Sequence, residues 1–569
     1  MDSNIASAGE KNWSAPGPGP WGLESSHWSM PMSVYMSEIF PKAMPEGFSR
    51  CAERYGLLIE GMRMVVIDHF LYIQIIPIGA PIDAKGPPPK WLFKLVLKLH
   101  PALRKRIKRS AQVLAERTWS LEIDEWNHSI KQDLVSRNQA LQAVDLARLD
   151  NAELFDHLDE CRDQLHHALV THHSLTASTA VPLGRFLVKT ASWTGLPDHQ
   201  ILGLLQGVSP SSIGITVELQ RVQAALRSDS EAIDWLQSTD DAAKTLQRLL
   251  DAEGELGEAM RAYLDIIGNR LGTGYDVADR RVIEVPDVLL RGLASGLKHG
   301  HLVVDLQPKI DAVRHQVPAA NQSEFDQLLA DAQLTHEIRD QRIILGDSWA
   351  TGLTRRALLE VGKRLTESGQ IDEPEVAIDI RHAEIGALLN NDAGPNRELL
   401  TQRHQSRLNA RIEDMPPFLG SEPGPPPPDD WLPGAAKEIM SGMGSFLNGN
   451  MGSPVAEISS ATDDKTLSGL GASGGVIEGP ARVITSPEQM NQIQQGDVLV
   501  VASTSPAFNV VLPLLSAIIT ERGGMLCHAA VVAREYGIPA VAGAPNALRR
   551  IVNGQQVRVD GTSGKVTLL

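Results

Sequence analysis

Near the C-terminus, a histidine follows closely on a pair of glycines. Gly523 and Gly524 come after an apolar run, and His528 opens a segment predicted to be a short helix that stops before Gly537 and Pro539. A helix N-terminus presents unpaired N–H groups and the positive end of the helix dipole, which stabilise phosphate. The same field disfavours imidazolium, so the ring should stay neutral and nucleophilic near neutral pH. The spacing therefore indicates a histidine able to carry a phosphoryl group, with a structural turn residue as the alternative.

A second group of candidate residues is a run of histidines in one helical stretch. His166, His167, His172 and His173 lie within two turns of a helix. Attack by a hydroxyl group on phosphorus gains from a general base, and histidine is the most common choice. Each is a candidate general base, with a packed or exposed helix histidine as the alternative. Acidic or cysteine partners at metal-binding spacing are not evident beside them, and we expect no metal site.

A basic stretch from 90 to 110 stands out in an acidic chain. It could bind an acidic partner subunit or attract an anionic substrate. Contact with a membrane surface is the weaker interpretation, because the segment lies inside a domain expected to be ordered and Pro101 lies midway along it. The alternative is a helix with one apolar face packed and one basic face in solvent.

Length and charge limit the class of protein. The chain has 569 residues, too many for a single hydrophobic core, so two or more domains are expected. Its net charge of −16 disfavours nucleic acid and anionic membranes as partners of the chain as a whole. Three widely spaced cysteines argue against a disulfide scaffold or zinc cluster and favour a reducing compartment. The sequence has no secretory signal and no apolar run of transmembrane length. We therefore expect a cytoplasmic protein without a nucleic-acid or membrane partner.

Composition divides the chain into four segments. Residues 1–25 are polar and rich in Gly and Pro, and are predicted to form a flexible leader. From 26 to 414 the hydrophobic period is mainly helical, which predicts a large helical domain. Four consecutive prolines and a following Gly, Ser and Asn-rich stretch predict a linker over 415–470. The remaining residues, 471–569, are predicted to form a small α/β domain.

Short β-branched runs separated by turns identify the α/β domain. They predict strands at 481–485, 497–503, 516–520, 540–543, 556–560 and 565–569. Two helical segments are expected between them, near 508–515 and 528–536. The expected fold class is thus multidomain: a large, mainly α-helical domain followed by a small α/β domain.

The stretch "ITERGGMLCHAAVVAREYGIPAV" (519–541) resembles the motif of the phosphohistidine swivelling domain of PEP-utilising enzymes. The matching positions are Thr520, Gly523, Gly524, Cys527, His528, Ala530, Ala533, Arg534, Glu535, Gly537, Ile538, Pro539, Ala540 and Val541. The resemblance implies that His528 is phosphorylated by a nucleotide or by PEP. The phosphate-supporting residues in this motif are Gly523, Gly524, Cys527 and Arg534.

One position departs from part of this family. The dikinases often carry a threonine two residues before the histidine, and its hydroxyl can contact the phosphate. This chain has Leu526 there, which points to the rifampin phosphotransferase branch.

The helical region resembles the substrate-binding domain of rifampin phosphotransferase-like and phenylphosphate synthase-like proteins. The similar stretches, in matching order, are 20–36, 117–126, 263–276, 285–293 and 352–365. In the last of them, the resemblance implies Arg355 and Arg356 as electrostatic clamps for the transferring phosphoryl group. Solvated arginines or interhelical ion pairs are the alternative.

The layout is similar to the phosphotransfer subunit of a phenylphosphate synthase-type system. No stretch resembles an ATP-grasp domain, and the chain begins at Met1 with its own leader, so a complete chain is expected. The resemblance implies a separate ATP-grasp subunit that binds ATP and Mg²⁺ and phosphorylates His528. A phenol or alkylphenol then accepts the phosphoryl group to give an aryl phosphate. Two alternatives stay open: a rifampin-type antibiotic phosphotransferase, and a phosphocarrier or regulatory protein without its own acceptor site.

Overall fold

The computed structural model of the chain describes two folded parts. The described residues are 13–26, 28–209, 216–237, 241–298, 305–451, 465–485, 487–504, 508 and 511–569. We call the part up to residue 451 the helical body and the part from residue 465 the C-terminal domain. The predicted leader and linker fall partly outside the described residues, at 1–12 and 452–464.

Helices dominate the helical body, as its hydrophobic period predicts. In chain order they are α1 (Val34–Ser37), α2 (Phe40–Tyr55), α3 (Lys90–Leu99), α4 (Pro101–Glu116), α5 (Thr118–Glu125), α6 (Lys131–Gln142), α7 (Asn151–Ser174), α8 (Thr176–Thr194), α9 (Asp198–Leu202), α10 (Val217–Arg227), α11 (Ser230–Gln237), α12 (Ala242–Asp251), α13 (Glu255–Ile267), α14 (Pro286–Lys298), α15 (Gln307–Gln316), α16 (Gln322–Arg342), α17 (Ser348–Glu367), α18 (His382–Leu389), α19 (Arg397–Asn409) and α20 (Gly434–Met451). The start of α7 shows a reciprocal cap, because the Asp150 and Glu153 side chains each accept a hydrogen bond from the other residue's amide. This cap satisfies two N–H groups that the first turn cannot pair internally.

The main core of the helical body forms where α7 packs against α2 and α17. Trp126 and Trp349 are buried in this core. Helices α16 and α17 are joined by one π-helical turn, Ile343–Asp347, which packs against α7. Such turns often occur at functional sites, and this one brings Asp347 next to the C-terminal half of α7.

A four-stranded antiparallel sheet, which the hydrophobic pattern did not predict, also belongs to the helical body. Its order is β2–β3–β1–β4, with bounds β1 (Pro20–Leu23), β2 (Ile59–Ile67), β3 (Phe70–Pro77) and β4 (Phe418–Gly420). The structure corrects the leader and linker predictions at β1 and β4. Trp21 of β1 is buried in one cluster with Phe70 and Tyr72 of β3, so apolar packing orders a Gly- and Pro-rich stretch.

Helix α20 runs through a stretch predicted to be a loose spacer. Its Ile439 and Phe446 are buried in one cluster with residues of α8. A Cβ on Gly184 of α8 would lie 1.9 Å from the Gly442 carbonyl oxygen of α20, so the two backbones approach closely because both residues are glycines. This packing offsets the low helix propensity of glycine. The structure therefore corrects the linker prediction over 434–451.

The C-terminal domain has an eight-stranded sheet and two helices, in agreement with the small α/β domain predicted. The sheet order is β5–β12–β11–β7–β8–β9–β10–β6. The elements are β5 (Thr466–Ser468), β6 (Leu470–Ser473), β7 (Val476–Ile484), β8 (Asp497–Val501), β9 (Leu515–Thr520), α21 (His528–Tyr536), β10 (Ala540–Ala542), α22 (Ala547–Arg550), β11 (Gln556–Asp560) and β12 (Lys565–Leu568). Strands β7 to β10 pair in parallel, and the others are antiparallel.

Two details of the C-terminal domain differ from the sequence prediction. The sheet begins at Thr466, slightly before the predicted boundary at 471. The segment 508–515, predicted to be helical, has a short 3-10 turn at Leu512–Leu514 among its described residues. Pro513 lies inside this turn, and proline does not extend a helix in its interior.

The two parts pack together at the turn that precedes α21. Leu526 is buried in the same apolar cluster as Phe446 of α20. The amides of Gly524 and Leu526 donate hydrogen bonds to the carbonyl oxygens of Asn450, at 3.1 Å, and Gly449, at 2.6 Å. The turn before His528 is therefore held against the end of α20.

Candidate active site at the domain interface

The glycines before His528 are required by the packing of the turn. Gly523 has a φ of +96°, and a Cβ there would lie 2.9 Å from the Cβ of Cys527. A Cβ on Gly524 would lie 2.4 Å from the carbonyl oxygen of Gly449. The pair therefore lets the turn fold on itself and approach α20. Their predicted role in supporting phosphate stays a prediction.

His528 is the first residue of α21, as the sequence predicts. The helix follows Cys527, which is extended, and ends at Gly537 in the left-handed region. Thr504 Oγ1 lies 2.9 Å from His528 Nδ1. When Nδ1–H donates to this hydroxyl, the lone pair resides on Nε2, which becomes the nucleophilic nitrogen. Thr504 was not singled out from the sequence, although it lies in a stretch that fits the family pattern.

Burial in the interface favours a neutral His528 imidazole. Burial is the largest cause, and it lowers the pKa of His528 to about 4. The Asp340 carboxylate opposes this shift, and the Arg339 guanidinium adds to it. A neutral ring can attack phosphorus without first losing a proton.

Arg339 and Asp340 of α16 reach the His528 turn from the helical body. Arg339 Nη1 donates to the Leu526 carbonyl oxygen at 3.3 Å, and its Nε donates to Asp340 Oδ1 at 3.3 Å. Both side chains are buried. A guanidinium at this position can neutralise the oxygens of a phosphoryl group on the histidine. Sequence analysis missed both residues, and the available signal was an Arg–Asp pair within the helical stretch 321–368.

Arg534 and Cys527 have contacts of their own in this turn. Arg534 Nη1 donates to the carbonyl oxygens of Ala472 and Met525, each at 2.9 Å, so the side chain fastens the turn to β6. Burial lowers the pKa of Arg534 to about 10. Burial raises the pKa of the Cys527 thiol, with the Ala530 amide opposing, which favours the unreactive thiol form. Their predicted support of phosphate is not tested by these contacts.

Two of the four candidate histidine bases lie at the surface. His166 Nε2 lies 3.1 Å from a Glu46 carboxylate oxygen, and His167 Nε2 lies 3.4 Å from Asp133. Their side chains are 39% and 42% exposed. These partners belong to α2 and α6 and not to the His528 turn.

The third candidate, His172, forms a dyad with Asp347. His172 Nδ1 and Asp347 Oδ2 lie 2.5 Å apart, and the two side chains are largely buried. Arg342 Nη1 donates to the His172 carbonyl oxygen at 3.0 Å. The ring centroid of the fourth candidate, His173, lies 4.5 Å from the ring centroid of His172. Burial raises the pKa of Asp347 well above its usual range, and the Arg342 guanidinium opposes this rise. In its ionised form, Asp347 on Nδ1 would orient the imidazole so that Nε2 can accept a proton.

An aromatic cluster continues from the two adjacent histidines. The centroid of the Phe40 ring lies 6.0 Å from the ring centroid of His173 and 4.7 Å from that of Trp28. The Trp28 ring lies 6.4 Å from Tyr275. Trp28 and Phe40 are buried in the main core of the helical body, and Tyr275 packs against that core.

The pKa of Tyr275 responds to charged groups near the His172 dyad and near the His528 turn. Burial raises the pKa of Tyr275, and the negative charges of Asp340 and Asp347 add to the rise. Glu24 contributes in the same direction, as does Cys527 when it is ionised. Tyr275 therefore lies within electrostatic reach of the His172 dyad and of the residue that precedes His528.

Arg355 and Arg356, the predicted clamps, make contacts inside the helical body. Arg355 pairs with both carboxylate oxygens of Glu284, at 3.0 and 3.1 Å. Arg356 donates to the carbonyl oxygens of Gln142 and Val144. Among the described residues, neither forms a hydrogen bond with the His528 turn, whereas Arg339 of α16 donates to it from the helical body. The interhelical alternative describes these contacts better.

The described residues were also searched for metal sites. Among them, no group of three or more His, Cys, Asp or Glu side chains is arranged to hold a metal ion. The ATP and Mg²⁺ expected on a partner subunit stay a prediction.

Comparison with known proteins matches two parts of the chain. Residues 493–564 match the family model for the PEP-utilising enzyme mobile domain. Residues 173–358 match the model for the rifampicin phosphotransferase fourth domain. The first match includes His528, and the second includes Arg339 and Asp347.

Curated relatives match larger parts of the chain. An uncharacterized protein of Mycobacterium tuberculosis is 30% identical over 350 residues, which cover 61% of this chain and 35% of that protein. An uncharacterized phosphotransferase of Bacillus subtilis is 31% identical over 247 residues, covering 43% and 27%. The rifampicin phosphotransferase of Streptomyces sviceus is 25% identical over 475 residues, covering 77% and 49%. The chain thus spans less than half the length of these relatives. It has the layout of the PEP-utilising, rifampicin phosphotransferase-like proteins, with a fourth-domain match in the helical body followed by a mobile domain.

Proposed function

We propose that this chain is a phosphotransferase component in which His528 accepts a phosphoryl group and passes it to a hydroxyl acceptor bound by the helical body. The observation that carries the proposal is the position of the half-buried His528 at the end of a turn that packs against α16, where Arg339 contacts the Leu526 carbonyl oxygen. A phosphoryl group on His528 would there face the helical body. Relatives that are named rifampicin phosphotransferase support this reaction class.

The proposed reaction has two transfer steps. In the first, Nε2 of neutral His528 attacks the donor phosphorus, so a P–N bond forms and the P–O bond to the leaving group breaks. In the second, the acceptor oxygen attacks the same phosphorus, so a P–O bond forms, the P–N bond breaks and the neutral imidazole returns. His172 takes the acceptor proton, and Asp347 stabilises the resulting imidazolium. Arg339 neutralises charge on the phosphoryl oxygens during transfer.

The acceptor that we propose is a phenol or an alkylphenol, and the product is an aryl phosphate. The aromatic cluster of Trp28, Phe40 and Tyr275 supports a flat apolar acceptor. Because a phenol hydroxyl has a pKa of about 10, a histidine base beside it would promote attack at neutral pH. The His172–Asp347 dyad supplies a candidate for this base.

The donor that we propose is ATP, bound with Mg²⁺ on a separate ATP-grasp subunit. The resemblance to phenylphosphate synthase-type systems supports this arrangement. Charging by a second protein requires the C-terminal domain to leave the helical body, because the His528 turn is buried against α16 and α20. The domain would then alternate between a donor and an acceptor position.

A second candidate acceptor is the hydroxyl of a rifamycin-type antibiotic. The match of 173–358 to the rifampicin phosphotransferase fourth domain favours it. Such an acceptor is much larger than a phenol and requires a wide opening beside His528. The two candidates differ in acceptor size but share the histidine chemistry.

Reverse transfer from an aryl phosphate tests the histidine chemistry without the donor subunit. The full chain is incubated with 4-nitrophenyl phosphate, whose ester P–O bond breaks as the P–N bond to His528 forms. The nitrophenolate leaves and takes a proton from protonated His172. We expect a burst of nitrophenol stoichiometric with the chain, and a phosphoryl group on His528 in peptide mass spectra. His528→Ala should give neither, and the surface control His166→Ala should give both. A full burst in His528→Ala would contradict the proposal.

A chase of the phosphorylated chain then identifies the acceptor class. Phenol, an alkylphenol and rifampicin are added separately, and the phosphorylated products are measured. Transfer to the phenols supports the proposed acceptor, and transfer to rifampicin alone supports the second candidate. If the label leaves to none of these hydroxyls, the result contradicts both acceptors and favours a phosphocarrier.

A further inference from the structure

Helices α3 and α4 concentrate positive charge in an otherwise acidic chain. Between residues 84 and 115 the sequence has nine Lys or Arg residues and no Asp or Glu, whereas the whole chain has a net charge of −16. The phosphotransfer chemistry above uses none of these residues. Local charge of this kind attracts anionic surfaces even when the net charge has the opposite sign.

One face of α3 is fixed to the helical body. The Phe93 ring lies 5.7 Å from the Trp431 ring, and Lys90 Nζ donates to Asp430 at 2.7 Å. Leu97 is buried on this face. The helix is therefore a firmly attached element of the surface.

Another face of α3 exposes three large apolar side chains. Trp91, Leu95 and Leu99, which we call the α3 stripe, are 69%, 43% and 67% exposed. Their spacing of four residues puts them along one side of the helix. Apolar side chains that stand out in a row from a charged surface usually mark a binding surface.

Basic side chains border the α3 stripe. Lys94 and Lys98 are exposed between its members. Arg104, Lys105 and Lys108 are exposed on α4, the next helix. Beside them, a groove between α2 and α4 has five basic side chains, together with Glu53 and Gln112, in its lining. Lys105 and Arg109 form ion pairs with Glu53 and Glu116, whereas the exposed Arg104 and Lys108 extend the positive surface beyond α3.

The proline in this segment does not interrupt α3. The sequence disfavoured a membrane surface because the segment lies inside an ordered domain and because Pro101 lies midway. The segment is indeed part of the ordered helical body, but the structure places Pro101 as the first residue of α4. Proline is well accepted there, and the whole of α3 precedes it. None of the described helices is long and apolar enough to pass through a membrane, so any membrane contact of the described part would be peripheral.

We propose that the α3 stripe and its lysines bind the surface of an anionic phospholipid bilayer. The Trp91 and Leu side chains would enter the boundary between headgroups and acyl chains, while Lys94 and Lys98 meet anionic headgroups. A row of apolar side chains bordered by cations suits an anionic bilayer, because its headgroups can rearrange to contact the cations while the apolar side chains insert between them. An acidic protein would need a pocket for each, which makes it the less favoured occupant.

Membrane contact would suit the acceptor class but does not depend on it. Alkylphenols and other apolar alcohols partition into bilayers, so a surface-bound enzyme would meet them at raised concentration. The test below measures vesicle binding and not phosphotransfer. Its failure would therefore leave the His528 chemistry intact, and failure of that chemistry would leave the membrane proposal intact.

Vesicle flotation tests the proposal on the full chain. We expect binding to vesicles of mixed phosphatidylglycerol and phosphatidylcholine, weaker binding at high salt, and little binding to phosphatidylcholine alone. The triple variant Trp91→Ser, Leu95→Ser, Leu99→Ser should bind at least about tenfold more weakly, because it loses the inserted apolar groups. Each of Lys94→Gln and Lys98→Gln should weaken binding by about fivefold.

Two matched controls distinguish binding by this surface from nonspecific binding to vesicles. Val217→Ser with Val552→Ser removes exposed apolar side chains elsewhere, and Lys244→Gln with Lys309→Gln removes exposed lysines elsewhere. Both control chains should bind like wild type. Absence of wild-type binding to the anionic vesicles would overturn the proposal, as would equal binding by the triple serine variant. The membrane proposal is also overturned if the wild-type chain does not bind vesicles but forms a complex with an acidic protein, and if that complex is lost in the triple serine variant.

Discussion

At the scale of single residues, His528 combines burial with a fixed hydrogen bond on one ring nitrogen. Thr504 Oγ1 engages Nδ1 at 2.9 Å, and burial lowers the pKa of the ring to about 4. The first contact assigns the nucleophilic role to Nε2, and the second keeps that nitrogen unprotonated. Arg339 then adds positive charge on the side of the acceptor.

Replacing Thr504 tests how the ring is oriented. Thr504→Val keeps the shape but removes the hydroxyl, so the imidazole loses its fixed tautomer. We expect phosphorylation of His528 by 4-nitrophenyl phosphate to slow by about tenfold, the scale of one hydrogen bond. Thr504→Ser should retain most of the rate. An unchanged rate in the valine variant, measured from the nitrophenol burst, would remove Thr504 from the mechanism.

Replacing Arg339 tests the acceptor side. Arg339→Ala should slow transfer from phosphorylated His528 to a phenol by about a hundredfold or more, because a positive charge near the phosphoryl oxygens is lost. Arg339→Lys should recover part of the rate, and the exposed control Arg137→Ala should match wild type. Transfer that proceeds at the wild-type rate in Arg339→Ala would rule out the clamp.

Sequence alone could predict that His528 begins a short helix, but not that Arg339 contacts the turn before it. The glycine pair, the helix stop at Gly537 and the motif all lie within a few residues of the histidine. Arg339 meets the Leu526 carbonyl oxygen across 187 positions of sequence, and no local pattern encodes such a contact. The family resemblance predicted Arg355 and Arg356 as clamps for the phosphoryl group. Their contacts inside the helical body depend on the tertiary fold, which the resemblance did not describe.

At the scale of elements, α20 links the helical body to the His528 turn. Its middle packs on α8 through the Gly184–Gly442 approach, and its last residues accept hydrogen bonds from Gly524 and Leu526. A rich content of Gly, Ser and Asn predicted a spacer there, since propensity favours no helix. Packing against α8 and α4 decides the outcome, which a single-segment pattern does not contain. By contrast, α21 was predicted with its observed bounds because its signals are local.

Filling the glycine contact tests the role of this packing. In Gly184→Ala, the new Cβ would lie 1.9 Å from the Gly442 carbonyl oxygen, so α8 and α20 must separate. We expect the free energy of unfolding to fall by about 2 kcal/mol, as for other overpacked cores. Gly444→Ala is the matched control, because no atom lies within 4 Å of its added Cβ. That variant should be unchanged or more stable by up to about 1 kcal/mol. Denaturant unfolding gives both values, and equal losses would contradict the packing account.

At the scale of the whole molecule, the C-terminal domain is docked with its reactive histidine inside the interface. Leu526 takes the place of a hydroxyl-bearing residue of the dikinases and is buried in an apolar cluster with Phe446 of the helical body. Gly207 of the body donates to Glu535 at 2.6 Å, and Arg522 donates to the Ser25 carbonyl oxygen at 3.0 Å. Under the proposed function these contacts correspond to an acceptor-side arrangement, which the domain would have to leave in order to be charged.

Docking should weaken as the pH falls, because the docked His528 resists protonation. Its pKa is lowered from 6.5 to about 4, so the stabilisation is fully present above pH 6.5 and is lost as the pH falls toward 4. The effect would reach about 3 kcal/mol if undocking returned the pKa fully to 6.5, and the part of the burial that comes from the C-terminal domain itself reduces it. Burial of His336 lowers its pKa to about 3 and acts in the same direction. Burial raises the pKa of Glu535 to about 7, and its contribution is instead lost as the pH rises from 4.5 through 7.

A comparison with His528→Asn isolates the histidine, because the other groups titrate in both chains. Energy transfer between dyes at the exposed positions Leu121 and Val552 reports docking. Wild type should undock more steeply than the variant between pH 6.5 and 4. Superimposable profiles would show that His528 is not buried by docking.

The most direct test of the central claim follows one phosphoryl group through a single turnover. The chain is phosphorylated on His528, mixed rapidly with an alkylphenol, and sampled for phosphohistidine and aryl phosphate. The account predicts that label leaves His528 at the same rate as aryl phosphate appears, and that His528→Ala forms no product. Product that forms without prior label on His528, or label that resides on another residue, would contradict it.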